Sequence, residues 1–261
     1  MIESQAMDRT REAYDLAEEY VSYADGDIEK NLFSFKDSGN PWCHHDVTTW
    51  NYIVDKLSQE NVSRIVDVGC GSGAWSLRIA SAFPHVQVTG IDFSPEQISR
   101  AQKLLERYNY LEDRVEFTVG DATDLDFGKG EFDVSICLHD VLNHIPSYRV
   151  ALNEMAKVTS KFNITSVHGF YASKTCFFIE KEKIASYERN GDMVHLIDKD
   201  GGSYDVYFHL FKASELAREF DYYFEGADAT GVSLQGKLCC ERNSIDSAEH
   251  IIIYSQARNG A

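Results

Sequence analysis

Val66-Asp67-Val68-Gly69-Cys70-Gly71-Ser72-Gly73 is the stretch whose reading decides the fold. An apolar run ends in an acid, glycines follow at alternate positions, and a helical pattern continues from Ala74 through Ala80. A strand, a tight Gly turn and a helix in that order bring backbone close to a nucleotide-like ligand, because a residue without Cβ leaves room for contact. The pattern predicts the first βα unit of a doubly wound α/β sheet.

Three more strand ends follow. Val86 to Ile91 runs into Asp92, 23 residues beyond Gly69, where an acid can accept hydrogen bonds from ribose hydroxyls. Val115 to Val119 ends in Gly120-Asp121-Ala122, and Phe132 to Cys137 runs into Leu138-His139-Asp140-Val141-Leu142-Asn143-His144-Ile145-Pro146. D-x-G-x-G-x-G, then an acid after the second strand, then G-D-A after the third, resembles the class I S-adenosylmethionine-dependent methyltransferases. The resemblance covers about residues 60 to 160. A nicotinamide-binding Rossmann domain shares the Gly turn and the ribose acid, but accounts for neither Asp67 nor the Asp121-Ala122 pair. No G-K-[ST] follows the glycines, so a P-loop is excluded.

The resemblance implies a Rossmann-like, mainly parallel seven-stranded sheet and S-adenosylmethionine as cofactor. It places backbone around Gly69, Gly71 and Ser72 at the amino acid carboxylate, near a helix N-terminus. Asp67 falls toward the cationic end, Asp92 on the ribose, and Asp121 with Ala122 at the adenine edge. Phe93 is positioned to pack on the ring face, and Leu138 to line the cofactor.

The composition narrows the partners. Lys plus Arg is 25 against 42 for Asp plus Glu, a net charge of −17 that repels phosphate backbones and disfavours nucleic acid. At 261 residues and 43% hydrophobic content, one large α/β domain with additions is expected. The cysteines at 43, 70, 137, 176, 239 and 240 contain no C-x-x-C pair and read as free thiols of a reducing cytoplasm. The first residues carry no basic and apolar leader pattern, and no apolar run is long enough to span a bilayer. The expectation is a cytoplasmic protein without membrane or nucleic-acid partners, with a homodimer left open.

Along the chain, residues 1–45 read as an N-terminal cap or lid with an amphipathic helix over 6–24, and 46–170 as the cofactor-binding core, opening on a helix through Trp50, Ile53, Val54 and Leu57. Ser94-Pro95-Glu96-Gln97 signals a capped helix start. Phe162 to Val167 reads as the fifth strand, although Thr159-Ser160-Lys161-Phe162 replaces the Pro-Gly-Gly turn common before it in the family. Residues 171–211 read as an antiparallel β-meander insertion, with Asn190-Gly191 as a type I′ hairpin turn. Residues 212–261 complete the sheet with strands near Ala227 to Leu234 and His250 to Tyr254.

Methyl transfer is an in-line displacement to which the protein contributes mainly alignment and desolvation. A base is needed only where the acceptor holds a proton it does not lose by itself. Ligands sit outside the carboxyl ends of strands, so His139, Asp140 and His144 are the candidates for base or acceptor orientation. Trp42, His44, His45, His168 and Tyr171 are candidates to close the pocket. No metal is expected, because the adjacent His44 and His45 point apart on a strand and lack a third ligand at fixed spacing. The sequence reads as a methyltransferase of an O or N atom on a small-molecule acceptor. Its alternatives are a protein or RNA methyltransferase, or a non-catalytic cofactor-binding protein of the same fold.

Overall fold

A computed structural model describes residues 41–170, 184–232, 238–239 and 248–258. Residues 1–40 of the expected cap, Tyr171, and the side chains of Trp42, His44 and His45 lie outside the described residues.

Helix α1 (Pro41–Gln59) enters a βα succession: β1 (Arg64–Val68), α2 (Ala74–Ala82), β2 (Gln87–Asp92), α3 (Pro95–Arg107), β3 (Val115–Val119), β4 (Phe132–Cys137), α4 (Tyr148–Val158) and β5 (Thr159–His168). A separate three-stranded meander follows, β6 (Ile184–Asn190), β7 (Met193–Asp198) and β8 (Ser203–Tyr207), then α5 (Ala213–Tyr223), β9 (Glu225–Val232), β10 (Leu238–Cys239) and β11 (His250–Gln256). The main sheet runs in the order β10-β9-β11-β5-β4-β1-β2-β3, seven strands of ordinary length with the two-residue β10 at the edge. β3 through β5 pair in parallel, and β11 inserts antiparallel between β5 and β9.

The central strands are buried along nearly their whole length because helices cover both faces of the sheet. On one face Ile53, Leu57, Leu77, Ile98 and Leu104 of α1, α2 and α3 pack on the sheet; on the other Leu152, Met155, Leu216 and Phe220 of α4 and α5 do so. The order reverses between β1 and β4, so the cleft opens where their carboxyl ends diverge. α3 starts as the sequence predicts, with the Ser94 hydroxyl accepting from Gln97 N at 3.1 Å and Pro95 in the first turn.

Three local expectations shift. β5 begins at Thr159 directly after α4, with no turn, because the Thr159 hydroxyl reaches both Met155 O and Ser135 Oγ and holds the junction in place. The hairpin turn is Gly191-Asp192 rather than Asn190-Gly191, since Asn190 already pairs with Met193. Gly191 alone takes a positive φ, 63°, the type II′ pattern rather than type I′. The terminal strands begin or end two residues from their expected limits, at Glu225–Val232 and His250–Gln256. Among the described residues, no helix is long and apolar enough to cross a membrane.

Candidate active site

On the β1–β2 side, the chain turns tightly at Gly69, with φ +76° and its amide donating to Ile91 O at 2.7 Å. A Cβ there would sit 2.3 Å from Val141 Cγ1, so this glycine is required by packing. Gly71 differs. Its φ is +53°, and a Cβ on it would meet no other atom within 4 Å. Its amide donates to Asp92 Oδ2 at 2.8 Å, while Asp92 Oδ1 accepts from Ser94 N at 3.0 Å. Asp92 is thereby fixed against both the Gly turn and the start of α3. A carboxylate offers about four acceptor directions, so these amide bonds are compatible with hydroxyl donors from a ribose. The open space over Gly71 beside a buried, oriented carboxylate fits an adenosine-bearing ligand approached by backbone.

The other residues assigned to the cofactor divide. Asp67 is 2% exposed and accepts from Ser76 Oγ at 2.6 Å; burial pushes its carboxyl up to about 7, against the Ser76 hydrogen bond and with a further push from Asp92. Ser72 and Leu138 are buried, and Phe93 and Ala122 are half-buried. Asp121 is exposed, and its Oδ1 accepts from Thr123 N and Thr123 Oγ1 at 2.8 and 2.7 Å, a side-chain turn at the end of β3.

The β4–β5 side is assembled from distant segments. His139 adopts φ +60°, a left-handed conformation rare outside glycine, and its amide donates to Ser166 Oγ at 2.7 Å. Its ring Nε2 accepts from the Trp75 indole N–H at 2.6 Å and stands 3.8 Å from Asp46 Oδ1. Asp140 Oδ2 lies 3.3 Å from His144 Nε2 and 3.9 Å from His168 Nε2. His144 Nδ1 meets the Tyr207 carbonyl at 2.9 Å, and Phe208 packs edge-on to His144 with centroids 4.8 Å apart. Asn143 ties the wall together: Oδ1 accepts from His168 N at 3.0 Å, and Nδ2 donates to His168 O at 3.1 Å and His209 O at 2.5 Å.

The charges follow from these contacts. Burial would raise the Asp140 carboxyl, but the His144 hydrogen bond and the neighbouring His144, His168 and His139 hold it well below the usual carboxylate range. Burial lowers His168 to about 4, partly offset by Asp140. Burial raises Asp46, opposed by His139 and Arg78. Arg78 itself is lowered by burial to about 10, and its guanidinium carbon lies 4.7 Å from the Trp75 ring centroid.

The structure thus brings His139, Asp140, His144 and His168 to one side of the cleft, and the glycines with Asp92 to the other. Asp121 keeps to its own turn. Sequence reasoning missed Asp46, Trp75, Asn143, Ser166 and Phe208. Trp75, two residues beyond the last glycine, is the one that a search of the Gly turn's surroundings would find, and Asn143 lies directly before His144 in the run after β4; Asp46, Ser166 and Phe208 are joined to the site only by tertiary contact.

Residues 65–161 match the family of methyltransferase domains. The chain is 36% identical over 96 residues to ajmaline N-methyltransferase of Rauvolfia serpentina, covering 37% of this chain and 32% of that protein. It is 37% identical over 106 residues to an O-methyltransferase of Aspergillus nomiae, covering 41% and 46%. The chain therefore spans about a third to a half of the length of these curated relatives. A crystal structure of an S-adenosylmethionine-dependent methyltransferase from Clostridium acetobutylicum shares the fold, with a TM-score of 0.65 at 13% identity over 93% of this chain and 99% of that one. Residues 65–161 are thus similar to methyltransferase domains, and the sheet has the Rossmann-like fold found in S-adenosylmethionine-dependent methyltransferases.

Proposed function

We propose that the protein transfers a methyl group from S-adenosylmethionine to an O or N atom of a small molecule held between the ends of β4 and β5. The observation that carries this reading is the convergence of His139, Asp140, His144 and His168 beside the Gly turn, with Phe208 of the segment after the meander walling the same group. Such a wall suits an enclosed acceptor, and a net charge of −17 disfavours RNA.

In this reading Gly69, Gly71 and Ser72 shape the turn that receives the amino acid end, with Asp67 behind it. Asp92 takes the ribose, Asp121 and Ala122 border the adenine, and Phe93 and Leu138 flank the cofactor. Bound S-adenosylmethionine supplies a methyl group on a positively charged sulfur, which needs no further activation. The chain's own work is to desolvate the cleft, hold the acceptor in line and manage any proton it loses. His139, Asp140 and His144 are assigned to those last tasks. The buried free thiols Cys70 and Cys137 agree with a cytoplasmic setting.

The test is incubation with methyl-labelled S-adenosylmethionine and panels of phenols, alcohols, amines, bulk RNA and protein. Equal amounts of labelled small molecule and S-adenosylhomocysteine are expected. Label found only in RNA or protein refutes the small-molecule reading. Cofactor binding without transfer in any arm supports a binding protein instead.

A further inference from the structure

We propose that His139 is held by Trp75 as a hydrogen-bond donor rather than a base, and that this selects an oxygen acceptor, an acidic hydroxyl such as a phenol, over an amine. The inference rests on the methyltransferase reading above and narrows its acceptor class. An indole nitrogen can only donate. With Trp75 Nε1 2.6 Å from His139 Nε2, that ring nitrogen must present its lone pair, because a proton on it would place two hydrogens in the same short gap. The one proton of the neutral imidazole therefore sits on Nδ1.

The other groups facing the ring leave this assignment in place. Asp46, from α1, stands 3.8 Å from Nε2, beyond hydrogen-bond range. Arg78, from α2, is stacked against Trp75 and acts electrostatically on Asp46. Asp140 faces His144 and His168. Ser166, from β5, holds the His139 amide and so fixes the backbone at φ +60°. A non-glycine residue seldom occupies that region, and such strain persists where the surroundings over-determine the geometry. The side chain remains 34% exposed, and with Nε2 engaged its available polar atom is the Nδ1–H donor.

A donor discriminates between acceptors by their lone pairs. A neutral amine has one, which must attack the methyl carbon, so it cannot also accept from His139. A phenol oxygen has a second lone pair for Nδ1–H, and the same hydrogen bond favours its ionised form. The hydroxyl proton leaves to water, the new O–methyl bond forms as the S–methyl bond breaks, and the sulfonium charge is neutralised as the phenolate charge is consumed. Trp75 is a positioning residue in this scheme, and His139 the residue that touches the acceptor.

Nitrogen-15 NMR of the imidazole rings in the whole wild-type protein at pH 8, assigned by loss of signals in His139→Gln, reads the tautomer without any turnover. The Nδ1–H form is expected; a proton on Nε2 overturns the proposal. Trp75→Phe keeps the ring and removes the N–H, so His139 should lose its fixed tautomer; an unchanged spectrum removes Trp75 from the scheme. In turnover, His139→Gln retains an amide donor and is expected within about tenfold of wild-type kcat, whereas His139→Ala falls by about 10²–10³. Equal collapse of both variants, or faster transfer to amines than to phenols, overturns the donor role. Absence of transfer to every acceptor would instead refute the methyltransferase reading, and the spectrum would still decide the tautomer.

Discussion

The two sides of the cleft are built in opposite ways. On the β1–β2 side, the Gly turn, Asp92 and Ser94 lie within one βαβ unit and join mostly through backbone amides. On the β4–β5 side, Asp46, Trp75, His139, His144, His168 and Tyr207 come from five segments and meet mostly through side chains. The first arrangement answers a ligand with a fixed shape. The second can change its acceptor by replacing side chains while the sheet stays as it is. Their buried charges also differ, an acid that resists ionising on one side and a histidine that resists protonation on the other.

The sharpest way to break the comparison lies within the Gly turn itself. Gly69→Val adds left-handed strain to a direct clash with Val141, so its stability should fall by on the order of 5 kcal/mol. Gly71→Val should lose only about 1–3 kcal/mol of stability, from backbone strain, yet abolish cofactor binding by filling the open space. Urea denaturation beside calorimetry with S-adenosylhomocysteine separates them. Equal stability losses would mean that the two glycines share one role.

Next is the pH dependence of stability. An unfolded Asp ionises near 3.9, whereas folded Asp67 keeps its proton to about 7. Between those values the folded state binds more protons, so stability falls as pH rises, by up to about 4 kcal/mol. His168 acts in the other direction. Its ordinary value of about 6.5 drops to about 4 on folding, so the unfolded state binds more protons and stability falls as pH drops from 6.5 to 4, by up to about 3 kcal/mol. Urea midpoints from pH 4 to 8 should lose the first slope in Asp67→Asn and the second in His168→Gln. An unchanged profile in either variant would remove that charge from the account.

A smaller effect is expected on the cofactor. Asp92→Ala removes the acceptor of the Gly71 and Ser94 amides as well as the proposed ribose contact. S-adenosylhomocysteine affinity should fall by about 2–3 kcal/mol, measured by calorimetry. The smallest change belongs to the wall. Phe208→Ala withdraws a ring from His144 and His168 and should raise the acceptor KM about tenfold, with cofactor affinity unaltered. A change in cofactor affinity instead would show that the two sides are coupled.

Much of this was legible before any coordinates. The alternation of glycines after Val68, the acid at Asp92 and the cap at Ser94 are local signals, each set by what one turn or one helix start requires of its own residues. They place a Rossmann-like core over the segment that matches the methyltransferase domain family. The run from Leu138 to His144 also marked the end of β4 as chemically rich. The hairpin failed by one residue because Asn190 and Gly191 both tolerate turns, and only cross-strand pairing with Met193 sets which of them enters the ladder.

By itself, then, the sequence determined the parallel sheet, its glycine turn and the histidines at the end of β4, because strand periodicity, glycine turns and caps are encoded by neighbours in the chain. Only the tertiary structure decided what those histidines meet. Trp75 is 64 positions from His139, and Tyr207 is 63 from His144, so no local pattern links them. In the scheme proposed above, the protonation form of His139 follows from a donor that α2 brings to the end of β4. A side chain's chemistry is set by its partners, and in this cleft the fold supplies them.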